Sequence, residues 1–206
     1  MLRKQKGQIF RNVVVLSVFI SVGIAHAQSD NYKDSVYQVG ILKPRDSTAT
    51  LKVGDEAPDF SLRSIGGLTT SLSQYLAKNN VVISFIPAAW TPVCSEQWPE
   101  YNNAKDMFDK NDAILLGIAV DNTPTLYSWT KNMCGVDGAL WFPVLSDFYP
   151  HGAVAKKYGV LRSNGLSERA LFVIDKKGII RYIDVHDINE KPKFEVLVKV
   201  LEELKQ

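Results

Sequence analysis

The sequence predicts an α/β domain with a mixed central sheet flanked by helices, and three observations carry that expectation. Two continuous apolar, β-branched runs, Val81 to Ile86 and Ala113 to Val120, have the composition of buried strands. Between and after them lie stretches with apolar residues at three- and four-residue spacing, as helices require. Two further pairs of strand-like runs are joined by glycine-bearing turns, Gly66-Gly67 and Lys176-Lys177-Gly178.

In chain order, Asp59 to Leu62 and Leu68 to Leu72 flank the first turn and form a β-hairpin at the amino-terminal side of the domain. Ser73 to Lys78 follows as a short helix, and Val81 to Ile86 is the first buried strand. Pro92 to Lys110 reads as one helix whose apolar face carries Trp98, Tyr101, Ala104 and Phe108. Ala113 to Val120 is the second buried strand. Thr123 caps a second helix that runs to Met133, with Pro124 in its first turn. Trp141 to Leu145 is a short strand, and His151 to Tyr158 a helix stopped by Gly159. Ala170 to Asp175 and Ile179 to Val185 form the second hairpin, and Pro192 to Leu204 a terminal helix. Hairpin, β-α-β, helix, hairpin, helix gives a mixed sheet with helices on both faces. That order suits a thioredoxin-like fold with an amino-terminal β-hairpin extension and an insertion.

The 206 residues suit one domain, and 46% hydrophobic with 22% charged residues excludes a disordered or collagen-like chain. The net charge of +2 mixes unlike segments. Arg3, Lys4, Lys6 and Arg11 open the chain, and no acid precedes Asp30. Subtracting those four from the 24 basic residues leaves 20 against 22 acidic ones, so the body has no basic excess and nucleic-acid binding has no electrostatic support. The basic start leads into an apolar run, Val13 to Ala25, that ends in Ala25-His26-Ala27. This is the pattern of an export signal over residues 1–27, and an uncleaved amino-terminal anchor is the other reading. The run is short for a spanning helix, which needs about 20 apolar residues. Either way the expected location is outside the cytoplasm, periplasmic or cell-envelope. Residues 28–50, with Pro44 and Asp46-Ser47-Thr48, are an extension without long regular structure, and the compact domain is expected over residues 51–206.

The informative stretch runs Ser84-Phe85-Ile86-Pro87-Ala88-Ala89-Trp90-Thr91-Pro92-Val93-Cys94-Ser95-Glu96-Gln97. A buried strand ends, a tight loop follows, and a helix begins with Thr91 as cap and Pro92 in the first position. Cys94 then falls in the first turn, where the helix dipole and free backbone N–H groups favour a thiolate and can bind the oxygen of a substrate. Such a thiolate is a nucleophile without being specific to one reaction. Gln97 stands where a disulfide oxidoreductase of the Cys-x-x-Cys type has its second cysteine. The remaining cysteine, Cys134, lies in Lys131-Asn132-Met133-Cys134-Gly135-Val136-Asp137-Gly138 at the end of the second helix. One structural disulfide is the bland use of the pair, although a domain of this size builds a core without such a staple. His26, His151 and His186 are scattered and offer no metal-ligand cluster, and no cofactor is called for.

Pro87, Thr91 and Cys94 match the Pro-x-x-x-Thr-x-x-Cys signature, and on it the chain resembles the peroxiredoxins of the alkyl hydroperoxide reductase C/thiol-specific antioxidant family. The resemblance covers about Leu51 to Leu204. It includes Val53-Gly54-Asp55-Glu56-Ala57-Pro58-Asp59-Phe60, Pro143-Val144-Leu145-Ser146-Asp147 and Glu168-Arg169-Ala170-Leu171-Phe172-Val173-Ile174-Asp175. It implies a thiol-dependent peroxidase acting on hydrogen peroxide, organic hydroperoxides or both. In that reading Cys94 attacks one peroxide oxygen and becomes a sulfenic acid. Pro87 covers and orients the pocket, and the Thr91 hydroxyl accepts from the substrate. Arg169 stands beside the sulfur and stabilises charge as the O–O bond breaks, with Glu96 and Gln97 as candidate supports for it. Partners implied are the peroxide, a thioredoxin-like or small-molecule thiol reductant, and a second copy in a homodimer.

The subgroup is mixed. The Cys134 segment is similar to the resolving-cysteine segment of the atypical, intramolecular thiol peroxidases, whereas Phe142 to Val160 looks like the one-cysteine alkyl hydroperoxide reductase E-type members. Resolution by an internal Cys94–Cys134 disulfide, a one-cysteine mechanism, and an intermolecular bridge all stay open. An exported thiol–disulfide reductase on a thioredoxin scaffold is the alternative function, and a non-enzymatic envelope module a more distant one.

Overall fold

A computed structural model describes residues 32–48, 50–134 and 139–205. The export segment expected over residues 1–27 lies outside them. The chain divides into two compact units, Met1–Val36 and Tyr37–Gln206. Of the first, Tyr32–Val36 is described and forms a helical turn, with the Ser35 N–H donating to the Tyr32 carbonyl. No helix among the described residues is long and apolar enough to cross a membrane.

The second unit is built on one seven-stranded mixed sheet. The strands in chain order are β1 (Ser61–Ser64), β2 (Thr69–Ser71), β3 (Asn80–Phe85), β4 (Ala113–Ala119), β5 (Val144–Ser146), β6 (Arg169–Ile174) and β7 (Ile180–His186), and their order across the sheet is β2-β1-β5-β4-β3-β6-β7. Strands β3, β4 and β5 run parallel, and both hairpins join antiparallel at the flanks. The β-branched composition of β3 and β6 fits their places inside the sheet, where every residue of both is buried.

Alternation along the strands sends Val81, Ile83 and Phe85 to one face, where they join Leu116, Ile118, Ala170, Phe172 and Tyr158 in the main core. Val82, Ser84 and Gly117 face the other way. That face is covered by helix α1 (Pro92–Asn103), whose Trp98 indole N–H donates to the Ser84 hydroxyl at 3.2 Å. Gly117 is required there, because a Cβ on it would meet the Trp98 ring at 2.7 Å. Helix α2 (Lys105–Lys110), α3 (Thr123–Met133), α4 (Ala153–Lys157) and α5 (Phe194–Glu203) complete the unit.

Four sequence expectations are corrected. The single helix expected over Pro92 to Lys110 is two, since Ala104 leaves helical geometry at φ −100°, ψ 19° and restarts the chain as α2. The expected helix Ser73–Lys78 is a 3₁₀ turn, Leu72–Gln74. The cap of α3 is Asn122, not Thr123: the Asn122 side chain accepts from the Thr125 N–H, and Thr123 is the first helical residue. The boundary at Leu51 moves to Tyr37, because residues 37–48 lie in the same compact unit as the sheet. Their polar backbone is satisfied by buried side chains of the domain rather than by regular structure of their own. Glu168 accepts from the Asp46 and Ser47 N–H groups, and Arg162 donates to the Lys43 carbonyl.

Candidate active site

Strand β3 ends at Phe85, and the loop from Ile86 to Thr91 reverses the chain into α1. Hydrogen bonds from other elements hold this loop in place. Ser167 donates its hydroxyl proton to the Ile86 carbonyl, and Asp121, at the end of β4, accepts from the Ala89 N–H at 2.9 Å. Burial pushes the Asp121 carboxyl above its ordinary value, opposed by the Ala89 hydrogen bond. Trp90 takes φ of 60°, a left-handed conformation uncommon for a bulky residue, just before the helix starts.

Thr91 occupies the cap position with extended backbone, but its side chain makes no capping bond to the helix. The hydroxyl donates instead to the Ala88 carbonyl at 2.9 Å. The Thr91 proton is committed there, so toward any incoming group this oxygen can only accept. First-turn N–H groups are likewise without a side-chain cap, as suits the binding of a negative or partly negative atom. Cys94 sits in this first turn as the third helical residue and is fully buried.

Arg169, the first residue of β6, meets it from across the sheet. The two terminal guanidinium nitrogens lie 3.5 and 3.6 Å from the Cys94 sulfur. One of them also donates to Gln97 Oε1 at 2.7 Å, while the other nitrogen and Nε donate to the Ile188 carbonyl at 3.0 and 3.2 Å. The cation is only 2% exposed. Such a planar fork uses its geometry to serve sulfur and supports together. Gln97 is held in turn, its amide donating to the Ser84 hydroxyl at 3.3 Å and to the Tyr101 hydroxyl at 3.2 Å. Burial raises the Tyr101 phenol, so it stays protonated. The ion pair that Arg169 could have formed with Glu168 is not made; Glu168 pairs with Arg162 in the interior.

A cleft of about 330 Å³ opens above this group and is lined by Pro87, Thr91 and Arg169 among others. Cys94 is fully buried beneath that lining, and Arg169 both lines the cleft and reaches the sulfur. Because the sulfur is fully buried, a reactant reaching it needs a small local opening.

The structure thus brings together Pro87, Thr91, Cys94 and Arg169 from a loop, a helix start and a distant strand. Cys134 is elsewhere, at the carboxyl end of α3, half-buried, and burial raises its thiol above the ordinary value. Both cysteines are free thiols. Helix α3 does abut the first turn of α1, where the Trp129 indole N–H donates to the Ser95 hydroxyl at 3.3 Å. Glu96 is exposed, whereas Gln97 faces Arg169. His151 lies against the Gly165 carbonyl and His186 against Asp184, and among the described residues no group of three or more His, Cys, Asp or Glu could hold a metal. Sequence reasoning missed Ser84 and the Ile188 carbonyl. Ser84 left a signal, as the single hydroxyl inside an otherwise apolar buried strand; a backbone carbonyl leaves none.

The profile of the AhpC/TSA family matches residues 53–183. Alkyl hydroperoxide reductase E of Mycobacterium bovis is 36% identical over 141 residues, which are 68% of this chain and 89% of that protein. The chloroplastic 2-cysteine peroxiredoxin of Chattonella marina var. antiqua is 32% identical over 145 residues, covering 68% of this chain and 73% of its own. Among solved structures, the reduced 2-Cys peroxiredoxin of Plasmodium vivax superposes with a TM-score of 0.67 at 27% identity, over 74% of this chain and 81% of that one.

Proposed function

Because the chain belongs to the AhpC/TSA family and is a thiol-dependent peroxidase of hydroperoxides, we propose that Cys94 supplies the attacking sulfur. Arg169, Thr91 and Pro87 then shape the step. The observation that carries this reading is the buried Arg169 fork within 3.6 Å of the Cys94 sulfur.

In the first half-reaction the Cys94 thiolate attacks the nearer peroxide oxygen in line. The S–O bond forms as the O–O bond breaks, sulfur is oxidised to the sulfenate, and the distal oxygen takes the peroxide's own proton and leaves as water or an alcohol; solvent then protonates the sulfenate to the sulfenic acid. Negative charge passes from sulfur to the leaving oxygen. A guanidinium already desolvated and already fixed by Gln97 and Ile188 stabilises that charge without reorganising. The Thr91 hydroxyl, its own proton given to Ala88, accepts from the proton-bearing peroxide oxygen and orients it.

In the second half-reaction a thiol condenses with the sulfenic acid and releases water, and an external dithiol or small-molecule thiol reduces the disulfide. Cys134 is our candidate for the internal thiol, supported by the packing of α3 against the first turn of α1. Because a disulfide needs Cα atoms within about 4.4–6.8 Å, its formation requires local unwinding around the buried Cys94. A one-cysteine cycle, with the reductant acting directly on the sulfenate, and a bridge between two copies are the competing routes.

The deciding experiment is single-turnover peroxide reduction with a sulfenate trap. Wild type and Cys134→Ser are expected to consume one equivalent of peroxide, and Cys94→Ser none. Peroxide consumption by Cys94→Ser would reject the assignment. Mass spectrometry of the same samples separates the routes: an intact-chain loss of two hydrogens in wild type marks the internal bridge, and a persistent sulfenate marks the one-cysteine cycle.

We also propose export through residues 1–27, supported by the basic start, the apolar run and Ala25-His26-Ala27. An amino-terminal mass beginning at Gln28 in protein from cells tests cleavage. Sedimentation of the reduced and oxidised protein tests the homodimer.

A further inference from the structure

We propose that residues Gln38–Leu42 form a tail-binding wall on the Cys94 cleft and make the enzyme prefer neutral alkyl or aryl hydroperoxides over hydrogen peroxide. The inference rests on the reading of Cys94 as the peroxide-reducing thiol, and it concerns a segment outside the part of the chain shared with the family.

The wall is held at both ends. At one, the Tyr37 N–H donates to the Trp90 carbonyl at 2.7 Å, in the loop that precedes Cys94. At the other, Asn189 grips Leu42 twice, its Oδ1 accepting from the Leu42 N–H at 2.8 Å and its amide donating to the Leu42 carbonyl at 2.9 Å. Asn189 directly follows Ile188, whose carbonyl holds Arg169. The same few residues therefore fix the guanidinium and the segment beside it. Further on, Glu168 accepts from the Asp46 and Ser47 N–H groups at 2.6 and 2.7 Å while paired with Arg162, and Glu168 is fully buried. Burying a carboxylate to tie down two backbone amides is costly unless each partner is present, so the attachment is not that of a loosely adhering tail. Gly40, at φ +68° with open space around its Cα, lets the segment turn between its anchors.

Apart from Gln38 and the Asn189 anchor, what this scaffold presents to the cleft is apolar. Val39, Ile41 and Leu42 face the same cavity as Val93, Leu166 and Ile188, and Arg169 is the single charged residue in the lining. Val39 is 38% exposed and Ile41 95% exposed, although the backbone that carries them is anchored. Isolated exposed hydrophobes are ordinary, but these stand on an anchored segment at the mouth of a reactive site. The cavity of about 330 Å³ far exceeds what hydrogen peroxide fills, a water molecule's share of liquid being about 30 Å³. Hydrogen peroxide gains nothing from the aliphatic walls. A hydroperoxide with an uncharged hydrocarbon tail places its O–O group toward Arg169 and Thr91 and its tail against Val39 and Ile41. A charged tail finds no counter-charge in that lining other than the one the chemistry uses.

The test compares kcat/KM for cumene hydroperoxide and hydrogen peroxide in the full-length wild type, Val39→Ser/Ile41→Ser, and Cys94→Ser. Wild type is expected to favour cumene hydroperoxide, and the double variant to lose about tenfold in the ratio of the two constants, as burying one or two methylene equivalents fewer predicts. The loss should appear in KM for the organic substrate, since the tail is bound alike before and during reaction. A ratio that stays within twofold of wild type overturns the proposal while leaving Cys94-dependent peroxide turnover intact. An unchanged ratio with an altered sedimentation coefficient overturns it in favour of a contact between copies. If neither peroxide is consumed in a Cys94-dependent way, this inference and the reading beneath it fall together.

Discussion

Arg169 donates to three acceptors at once: the Cys94 sulfur, Gln97 Oε1 and the Ile188 carbonyl. Two of the three are supports, so the position of the cation depends on residues that never touch the peroxide. Gln97→Met should loosen one support while keeping the shape of the helix. Its kcat/KM is expected to fall roughly tenfold, with the loss in the peroxide-dependent step rather than in reduction by the thiol, as for a misplaced preorganised charge. A loss confined to reductant turnover would remove Gln97 from this role. The polarity of Thr91 makes a second prediction. Since its proton goes to Ala88, Thr91→Ser should keep most activity, and Thr91→Val should lose roughly 10²-fold or more in single-turnover peroxide reduction, the cost of one positioned polar group. Equal activity of the Ser and Val variants would show that the hydroxyl is not used.

The loop from Ile86 to Thr91 depends on a carboxylate at the end of β4. Asp121 is held above its ordinary value by burial, and the charged form is offset only in part by the Ala89 N–H. Because the folded value is raised, the folded state holds its proton longer than the unfolded chain. Stability from this group is full below the unfolded value near 4 and declines as pH rises through the raised folded value. Asp121→Asn keeps an acceptor for Ala89 and removes the charge. Its Tm should match wild type at pH 3 and exceed it increasingly toward pH 7; a constant offset across that range would contradict the argument. At the end of α3, burial keeps the Cys134 thiol protonated further into the alkaline range. If Cys134 resolves the sulfenate, bridge formation should accelerate with pH through and beyond the ordinary thiol value, since the thiolate is the attacking form. Stopped-flow tryptophan fluorescence can follow it, and a rate independent of pH between 7 and 9 would favour another thiol.

Residues 37–48, upstream of the family core, are part of the same folded unit as the sheet, and their attachment runs through Glu168 and Arg162. Glu168→Ala would leave Arg162 buried without its carboxylate and the Asp46 and Ser47 amides without their acceptor. A loss of about 3–5 kcal/mol is expected, as for other buried pairs broken on one side, read by chemical denaturation. The hydrophobic alternative Arg162→Met/Glu168→Leu should cost less than Glu168→Ala, because no charge is then stranded. A single-variant loss below about 1 kcal/mol would mean that residues 37–48 adhere only loosely.

Periodicity and turn residues were enough to read the sheet and most helices from the sequence, because strand alternation and helical spacing are local properties of a chain burying one face. The same holds for the first-turn position of Cys94, which Thr91 and Pro92 mark within four residues. Where local signals competed, the reading failed. The helix from Pro92 breaks at Ala104, with no glycine or proline there to announce it. Asn122 rather than Thr123 caps α3, because both residues can cap and only the hydrogen-bond geometry chooses. Residues 37–48 read as part of an extension without long regular structure, since partners that hold them, Arg162, Glu168 and Asn189, lie more than a hundred residues away. Arg169 was legible as a motif residue, but its distance to sulfur, its hold on the Ile188 carbonyl and the apolar wall beside it come from long-range packing. Contacts between distant residues carry no spacing signal along the chain, and only the folded backbone decides which of them meet.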